Sequence, residues 1–313
     1  MSKAKLWMWR GLAVLAVLCL IGGCKKKDDR PQVVLLMKSL ANEFFQTMED
    51  GAKAHYEQHK NRYALKVVGM KNETDVAEQI RNVELAIAQD VNAIVIAPAD
   101  SKALVPVCKK AMDAGIVVVN IDNKFDEGVL ADKGVKIPFV GPDNRQGAKL
   151  AGVYLSTRLQ SGDKVAIIEG APNAFNGIQR KMGFEDAMLA SNLNIVSSQT
   201  GYWETDKALP IAAALINEHP DLKAILCAND SMALGAVTAV KEAGKTGAIH
   251  VIGFDNIAAA RQLLKDGKIL CTVDQHADKI AQGGIDCALE MLKTKVPPVD
   301  RQTPVKLVTA EML

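Results

Sequence analysis

The sequence predicts an α/β protein with two related lobes, each a parallel sheet flanked by helices. Three observations predict it. After residue 30, short apolar runs alternate with amphipathic stretches down the whole chain. The runs are apolar throughout instead of at every second residue, the pattern of strands covered on both faces. Hydrophobic residues make up 49% of the chain but aromatics only 4%, so Ala, Val, Ile and Leu supply the core, which fits layered α/β packing better than a sandwich or barrel. The 313 residues have room for roughly two domains of about 150 residues. Thirty-eight Lys+Arg balance 36 Asp+Glu to leave +2, which argues against a protein built to bind nucleic acid.

The N-terminus reads as a targeting segment. Lys3, Lys5 and Arg10 precede an apolar run from Gly11 to Gly23. A bilayer-spanning helix needs about 20 residues, so this run is too short to span and fits the apolar region of a signal peptide. No A-x-A site follows. The run ends Leu20-Ile21-Gly22-Gly23-Cys24, which resembles a bacterial lipoprotein box, in which small residues precede a Cys that is lipidated and becomes the first mature residue. The alternative is an uncleaved anchor ending in a chance Cys. Residues 1–23 are therefore expected as signal peptide. Residues 24–30 are expected as lipidated Cys24 with a charged tether, Lys25 to Arg30, that links the protein to a membrane and holds the globular part off it.

Cys108, Cys227, Cys271 and Cys287 remain in the globular part. They are scattered without a C-x-x-C, which argues against a zinc cage. Cys227 and Cys271 lie in strand-like runs and read as small buried hydrophobes. Export permits a disulfide, but the sequence does not pair the cysteines.

The elements follow in order. Val33–Met37 (VVLLM) predicts a strand, and Asn42–His59 a helix with Phe45, Met48, Ala52 and His55 near one face. Leu65–Val68 predicts a strand. Asp75–Ala88 predicts a helix packed through Val76, Ile80, Val83 and Ile87. Ala93–Ala97 is a strand. Ser101–Ala114 is mostly helical despite Pro106, is ended by Gly115, and leads into a strand at Ile116–Ile121. Phe139-Val140-Gly141-Pro142-Asp143 reads as punctuation between two stretches of similar rhythm. Beyond it come strands at Lys164–Ile168, Ile195–Ser198, Ala224–Cys227, His250–Gly253 and Leu270–Val273, mostly separated by helices.

In such sheets ligands bind beyond the carboxyl ends of the strands. Lys38-Ser39-Leu40-Ala41-Asn42-Glu43-Phe44-Phe45 follows the first apolar run. Asp122-Asn123, Asn229-Asp230, Asp255-Asn256 and Gln275 follow later ones. Trp203 follows the strand ending near Thr200, and Arg180 lies in a helical segment before Gly183-Phe184. Carboxylates and amides accept from hydroxyls, amides and a guanidinium donate, and aromatic faces cover the C–H face of a sugar ring. The set suits a neutral polyhydroxylated ligand. Each residue also has a plainer reading. Asn42, Asn229, Asp230 and Asp255 could be helix caps, Trp203 core, and Arg180 a solvated or paired surface residue. Adjacent Phe44 and Phe45 cannot both face one core from a helix, so at least one is expected toward the cleft.

At these residues the chain resembles the periplasmic sugar-binding proteins of the ribose-binding type, solute receptors of ABC importers, from about Val33 to Val308. The resemblance is carried by Leu40-Ala41-Asn42-Glu43-Phe44-Phe45, Asn92-Ala93-Ile94-Val95-Ile96-Ala97-Pro98-Ala99-Asp100-Ser101, Asn229-Asp230-Ser231-Met232-Ala233-Leu234-Gly235-Ala236 and Val251-Ile252-Gly253-Phe254-Asp255, with Gln275 following. Repressors of the lac-repressor type share this core but begin with a DNA-reading motif, where this chain has its targeting segment. The resemblance implies a type I periplasmic-binding-protein fold, with three hinge crossings near Gly141–Asn144, Gln275 and Thr303. It implies an N-terminal lobe of 31–141 plus 276–302 and a C-terminal lobe of 142–275 plus 303–313. It also implies a ligand set of Asn42, Phe44, Phe45, Asp122, Asn123, Arg180, Trp203, Asn229, Asp255 and Gln275, with Phe44, Phe45 and Trp203 sandwiching the ring. Three departures stand out. Asn123 replaces the Arg usual in ribose binders, Glu43 replaces a common Pro, and Trp203 replaces a common Phe. The resemblance thus implies a monosaccharide or sugar alcohol not restricted to ribose, captured by hinge closure and delivered to an ABC permease. No cofactor, metal or nucleic acid is expected, and a monomer is.

Two other classes compete. A sugar-sensing subunit for a chemoreceptor or histidine kinase would use the same fold. An enzyme would need motifs that the chain lacks: G-x-G-x-x-G, a P-loop or a G-x-S-x-G elbow. Lys245-Thr246-Gly247 matches a β-lactamase triplet without its partner motif. His55 and His59 are spaced as metal ligands can be, but the Glu between them is misplaced for H-E-x-x-H, and the pair reads as exposed helix residues.

Overall fold

The computed structural model describes residues 29–296 and 299–313. The signal peptide, Cys24 and the tether to residue 28 lie outside the described residues. Strand β1 (Gln32–Ser39) leads into helix α1 (Glu43–His59), β2 (Ala64–Met70), α2 (Val76–Ala88), β3 (Ala93–Ile96), α3 (Val105–Asp113), β4 (Val117–Ile121), a short α4 (Glu127–Asp132) and β5 (Phe139–Pro142). Then come α5 (Asn144–Ser156), β6 (Lys164–Glu169), α6 (Phe175–Ala190), β7 (Asn194–Thr200), α7 (Thr205–Glu218), β8 (Leu222–Cys227), α8 (Asp230–Glu242), β9 (His250–Ile252), α9 (Ala258–Lys265) and β10 (Thr272–Asp274). Helix α10 (Ala277–Thr294), β11 (Arg301–Thr303), β12 (Lys306–Val308) and a 3₁₀ turn at Ala310–Met312 complete the chain.

The first lobe is built on a six-stranded sheet in the order β11-β5-β4-β3-β1-β2, parallel throughout. The second is built on a parallel four-stranded sheet, β7-β6-β8-β9. A two-stranded antiparallel ribbon, β10-β12, adjoins it through a parallel bridge from Ile252 to Cys271. The chain leaves the first sheet after β5, returns to it at β11 after β10, and leaves it again between β11 and β12. Helices cover both faces of each sheet, which is why VVLLM in β1 and AILC in β8 are buried at every position. All-parallel pairing is stable only when both faces are covered in this way.

Of the residues read as possible caps, Asn42 and Asn229 do that work, joined by Asp75 and Asp143, while Asp230 and Asp255 bond elsewhere. The side chain of Asn42 accepts from Phe44 N–H, Asp75 from Glu78 N–H, Asp143 from Gln146 N–H and Asn229 from Met232 N–H. Each satisfies a donor that the first helical turn leaves unpaired.

Several expectations are corrected. Phe139–Pro142 is a buried strand, β5, between β4 and β11, and the first crossing follows it directly. Helix α3 starts at Val105, not Ser101, because Pro106 is confined to the first turn, where its missing N–H costs nothing. His55 is buried rather than exposed, and its Nδ1 lies 2.8 Å from the Tyr63 hydroxyl. Burial lowers its pKa below the usual 6.5 and opposes the pull of Asp286. The four described cysteines are free and buried. Helix α4 and strands β11 and β12 are too short to show as periodic runs.

Helices α1 and α10 meet at Gly51, where an added Cβ would fall 2.5 Å from the Asp278 Cα. Gly51→Ala is therefore expected to lower stability by about 1–3 kcal/mol, the usual cost of overpacking. The check is a lower urea midpoint with an unchanged m-value.

Candidate ligand-binding site between the lobes

The carboxyl ends of both sheets face one cleft. Its floor is a small, tight cavity lined by Lys38, Asn42, Phe44, Phe45, Glu73, Asp122, Asn176, Arg180, Trp203, Asn229, Asp255 and Gln275. Nine of the ten residues expected from the sequence meet here: Asn42, Phe44, Phe45, Asp122, Arg180, Trp203, Asn229, Asp255 and Gln275. The tenth, Asn123, does not line the cavity. Its Nδ2 donates to Pro98 O at 2.9 Å, and its Oδ1 accepts from Ser101 Oγ at 3.2 Å and from Asn176 N–H at 3.1 Å. The tight turn after β4 puts Asp122 at φ +61° and sends its neighbour the other way. Lys38, Glu73 and Asn176 line the cavity without having been expected there.

Strand ends explain most of the placement. Lys38 is the penultimate residue of β1, Glu73 lies just beyond β2, Asp122 follows β4, Trp203 β7, Asn229 β8, Asp255 β9 and Gln275 β10. Phe44 and Phe45 occupy the first turn of α1, edge to face with ring centroids 5.0 Å apart. Arg180 and Asn176 stand one turn apart on α6, on one face. Three of these residues carry left-handed backbone, Asp122 at φ +61°, Trp203 at +73° and Asp255 at +118°, a conformation that costs a non-glycine residue of order 1–3 kcal/mol and clusters at functional sites.

Trp203 fits because two glycines make room. A Cβ on Gly170 would fall 2.0 Å from the indole, and one on Gly177 would fall 3.0 Å from it. The Lys38 ammonium lies 5.4 Å from the Trp203 ring centre and 5.3 Å from that of Phe45, within cation–π range of both. It also lies 3.7 Å from Glu73 and 3.6 Å from Asp122. Arg180 stacks 3.8 Å over Phe254. Its Nε donates to Asn144 Oδ1 at 2.8 Å, and its Nη1 donates to Ala228 O at 2.8 Å and Asp255 Oδ1 at 3.3 Å. Gln275 Nε2 donates to Asp255 Oδ1 at 2.7 Å. Asn42 and Asn229 serve twice, as caps and as cavity wall. Their amides donate to Glu73 Oε1 and Trp203 O.

The site's electrostatics suit an uncharged ligand. Burial pushes both Asp255 and Glu73 up to about 7, against the pull of Arg180 on the first and of Lys38 on the second. Burial likewise lowers Arg180, while Asp255 pulls it back up. Two cations face three carboxylates, two of which burial shifts toward their neutral form, so the site carries little net charge. Meanwhile Asp122 Oδ2, Asn176 Oδ1 and Gln275 Oε1 are buried acceptors with no hydrogen bond from the protein. Buried acceptors call for donors, and hydroxyl groups supply them.

A model of the periplasmic binding protein domain matches residues 33–295. This chain belongs to the periplasmic binding protein family. The D-ribose/D-allose-binding protein of Pseudomonas aeruginosa is 57% identical over 286 residues, 90% of each chain. A solute-binding protein of an ABC transporter from Burkholderia multivorans superposes with TM-score 0.88 at 53% identity, covering 90% of this chain and all of that one. A periplasmic solute-binding protein from Actinobacillus succinogenes, crystallised with bound D-allose, superposes with TM-score 0.86 at 36% identity, covering 90% and 99%. The family comprises substrate receptors of transporters, not enzymes. No helix among the described residues is long and apolar enough to cross a membrane.

Two outcomes follow for the binding protein. Gly170→Ala should drive Trp203 from its seat and abolish ligand binding while the fold survives, read as lost tryptophan-fluorescence response with unchanged far-UV circular dichroism. Asp255 binds its proton more tightly folded than unfolded, since its pKa rises from the ordinary 3.8 to about 7. Its contribution to stability is therefore fully present below about pH 4 and lost as pH rises through 7. Ligand-free melting temperature should fall across that window, and Asp255→Asn should flatten the fall. Ligand affinity should run the opposite way, weakening as pH drops below 7 and the accepting carboxylate is neutralised.

Proposed function

We propose that this chain captures a monosaccharide, D-allose or D-ribose or a close stereoisomer, and presents it to the permease of an ABC importer. The observation that carries the reading is the cavity itself: electrically near neutral, walled by Phe44, Phe45 and Trp203, and holding three buried acceptors that a ligand's hydroxyl groups would satisfy. Buried polar groups of this kind also discriminate, because a sugar lacking the matching hydroxyl leaves one unpaired. The names of the relatives support the choice of sugars. Phe44, Phe45 and Trp203 cover the ring, and Lys38 and Arg180 donate to its oxygens. Asp122, Asp255, Glu73, Asn176 and Gln275 accept from its hydroxyls.

Capture works by closure. The lobes, 31–141 with 276–302 and 142–275 with 303–313, turn about the three crossings, and the sugar stabilises the closed form because only there do both lobes bond it. Periplasmic binding proteins of importers act in the periplasm. Cys24, lipidated after removal of residues 1–23, tethers this one to a membrane as a monomer. Acyl labelling of wild type but not of Cys24→Ser checks the anchor.

Pro31–Leu313 forms one compact unit and serves for the binding test. Stripped of ligand, it is melted with D-allose, D-ribose, other pentoses and hexoses, and polyols. Ligand at a hundred times Kd adds about 2.7 kcal/mol, a rise of roughly 4–5 °C for a chain of this size. A hit is expected for D-allose or D-ribose, abolished by Asp255→Ala and weakened by Trp203→Ala. No shift with any sugar or polyol sinks the reading.

A further inference from the structure

Three helices of the second lobe, α6, α7 and α9, begin without a side-chain cap of their own, and two of them, α6 and α9, face the first lobe. The residues at their N-cap positions are Ala174 and Ile257, neither of which offers a side-chain acceptor. The first-turn N–H groups of a helix need acceptors, and at both helices the first lobe supplies at least one of them, while Asp230 of the second lobe accepts from Ile257 N–H. Ser101 Oγ accepts from Phe175 N–H at 2.9 Å and Asn123 Oδ1 from Asn176 N–H at 3.1 Å, so two donors of the first turn of α6 are met across the cleft. Beside them Ser101 N–H donates to Asn173 O at 3.0 Å, and Asn173 Nδ2 donates to Asp100 Oδ2 at 2.7 Å. On another part of the cleft, Glu43 Oε2 accepts from Ala259 N–H, in the first turn of α9, at 3.2 Å. A carboxylate there is also favoured by the helix dipole. None of Ser101, Asn123 and Glu43 lines the cavity.

We propose that Ser101, Asn123 and Glu43 are caps supplied in trans, which hold a population of the chain closed without sugar and so set its affinity from outside the ligand cavity. The proposal rests on closure as the capture step. When the lobes part, the first turns of α6 and α9 lose these partners to water, and closing restores them. Apparent affinity scales with the fraction of molecules already competent to bind, so each trans cap multiplies it without touching the ligand. The assignment also gives Asn123 a role, with its amide fixed to Pro98 O in its own lobe and its carbonyl presented to the other.

The test uses the ligand-free chain from residue 31, with one surface label per lobe to read the interlobe distance, and a titration with D-allose and D-ribose. Ser101→Ala and Glu43→Ala should each shift the ligand-free distribution toward open and weaken sugar binding about five-fold, the scale of losing a helix cap. Glu43→Gln, which keeps an acceptor for Ala259 N–H, should restore most of both. The double variant should weaken binding about 25-fold, because the two contacts share no partner and their effects add in free energy. A wild type that is wholly open without ligand overturns the proposal, and so do variants whose distances match wild type. An affinity loss with an unchanged ligand-free distribution also overturns it, since the residues would then act on the bound ligand alone. If neither sugar binds, the assignment of ligand falls, while the distance measurement still decides the caps.

Discussion

The buried Arg180 guanidinium is the fixed point of the cleft. It leans on Phe254 and donates to Asn144, Ala228 O and Asp255, so one side chain joins the first crossing between lobes, the end of β8 and the loop after β9. A guanidinium that cannot lose its proton must be paired wherever it is buried. That requirement fixes the carboxylate of Asp255, whose own burial pushes its pKa to about 7. Asp230 continues the chain beneath. Wholly buried and pushed well above its usual range by burial, it takes Thr272 Oγ1–H and Ile257 N–H and so braces the loop in which Asp255 adopts its left-handed backbone.

The same pairing keeps the cavity selective for neutral solutes. Lys38 and Arg180 are each answered by carboxylates inside the site, so an anionic ligand would find its counter-charges already engaged. What the protein leaves without a hydrogen bond are lone pairs on Asp122, itself ion-paired with Lys38, and on Asn176 and Gln275, and these ask for hydroxyl protons.

Much of this was legible in the sequence, because strand ends are. Apolar runs mark buried parallel strands, and in this topology the next residues reach the cleft, which located Asp122, Trp203, Asn229, Asp255 and Gln275. Lys38 stood in the same kind of position at the end of VVLLM, but a lysine is almost never fully buried unless paired, and its partners, Glu73 and Asp122, come from other strands. Glu73 was hidden because β2 is only half buried and fades into Lys71-Asn72. Asn176 carried a usable signal, since it stands four residues before Arg180 on one helix face. Asn123 misled for the opposite reason. Sequence adjacency to Asp122 suggested a shared site, but a left-handed turn separates their directions. His55 was read from helix spacing alone, while Tyr63, which buries it, lies beyond the helix.

Local rules failed most informatively at Ala174 and Ile257. Five other helices start with Asn or Asp caps placed in cis, while α3, α7 and α10 also start without one, so bare starts are not themselves rare and what sets α6 and α9 apart is where their acceptors come from. Apolar residues at the starts of α6 and α9 are poor choices for isolated helices, yet good ones for surfaces that must stay open to a partner. A cis cap would satisfy those N–H groups in every conformation and leave closure nothing to gain from them. Leaving them bare, and lodging the acceptors on Ser101, Asn123 and Glu43, makes helix stability depend on lobe position. A local inconsistency in capping is then resolved only at the level of the whole fold, where sequence and function are expected to part from local rules.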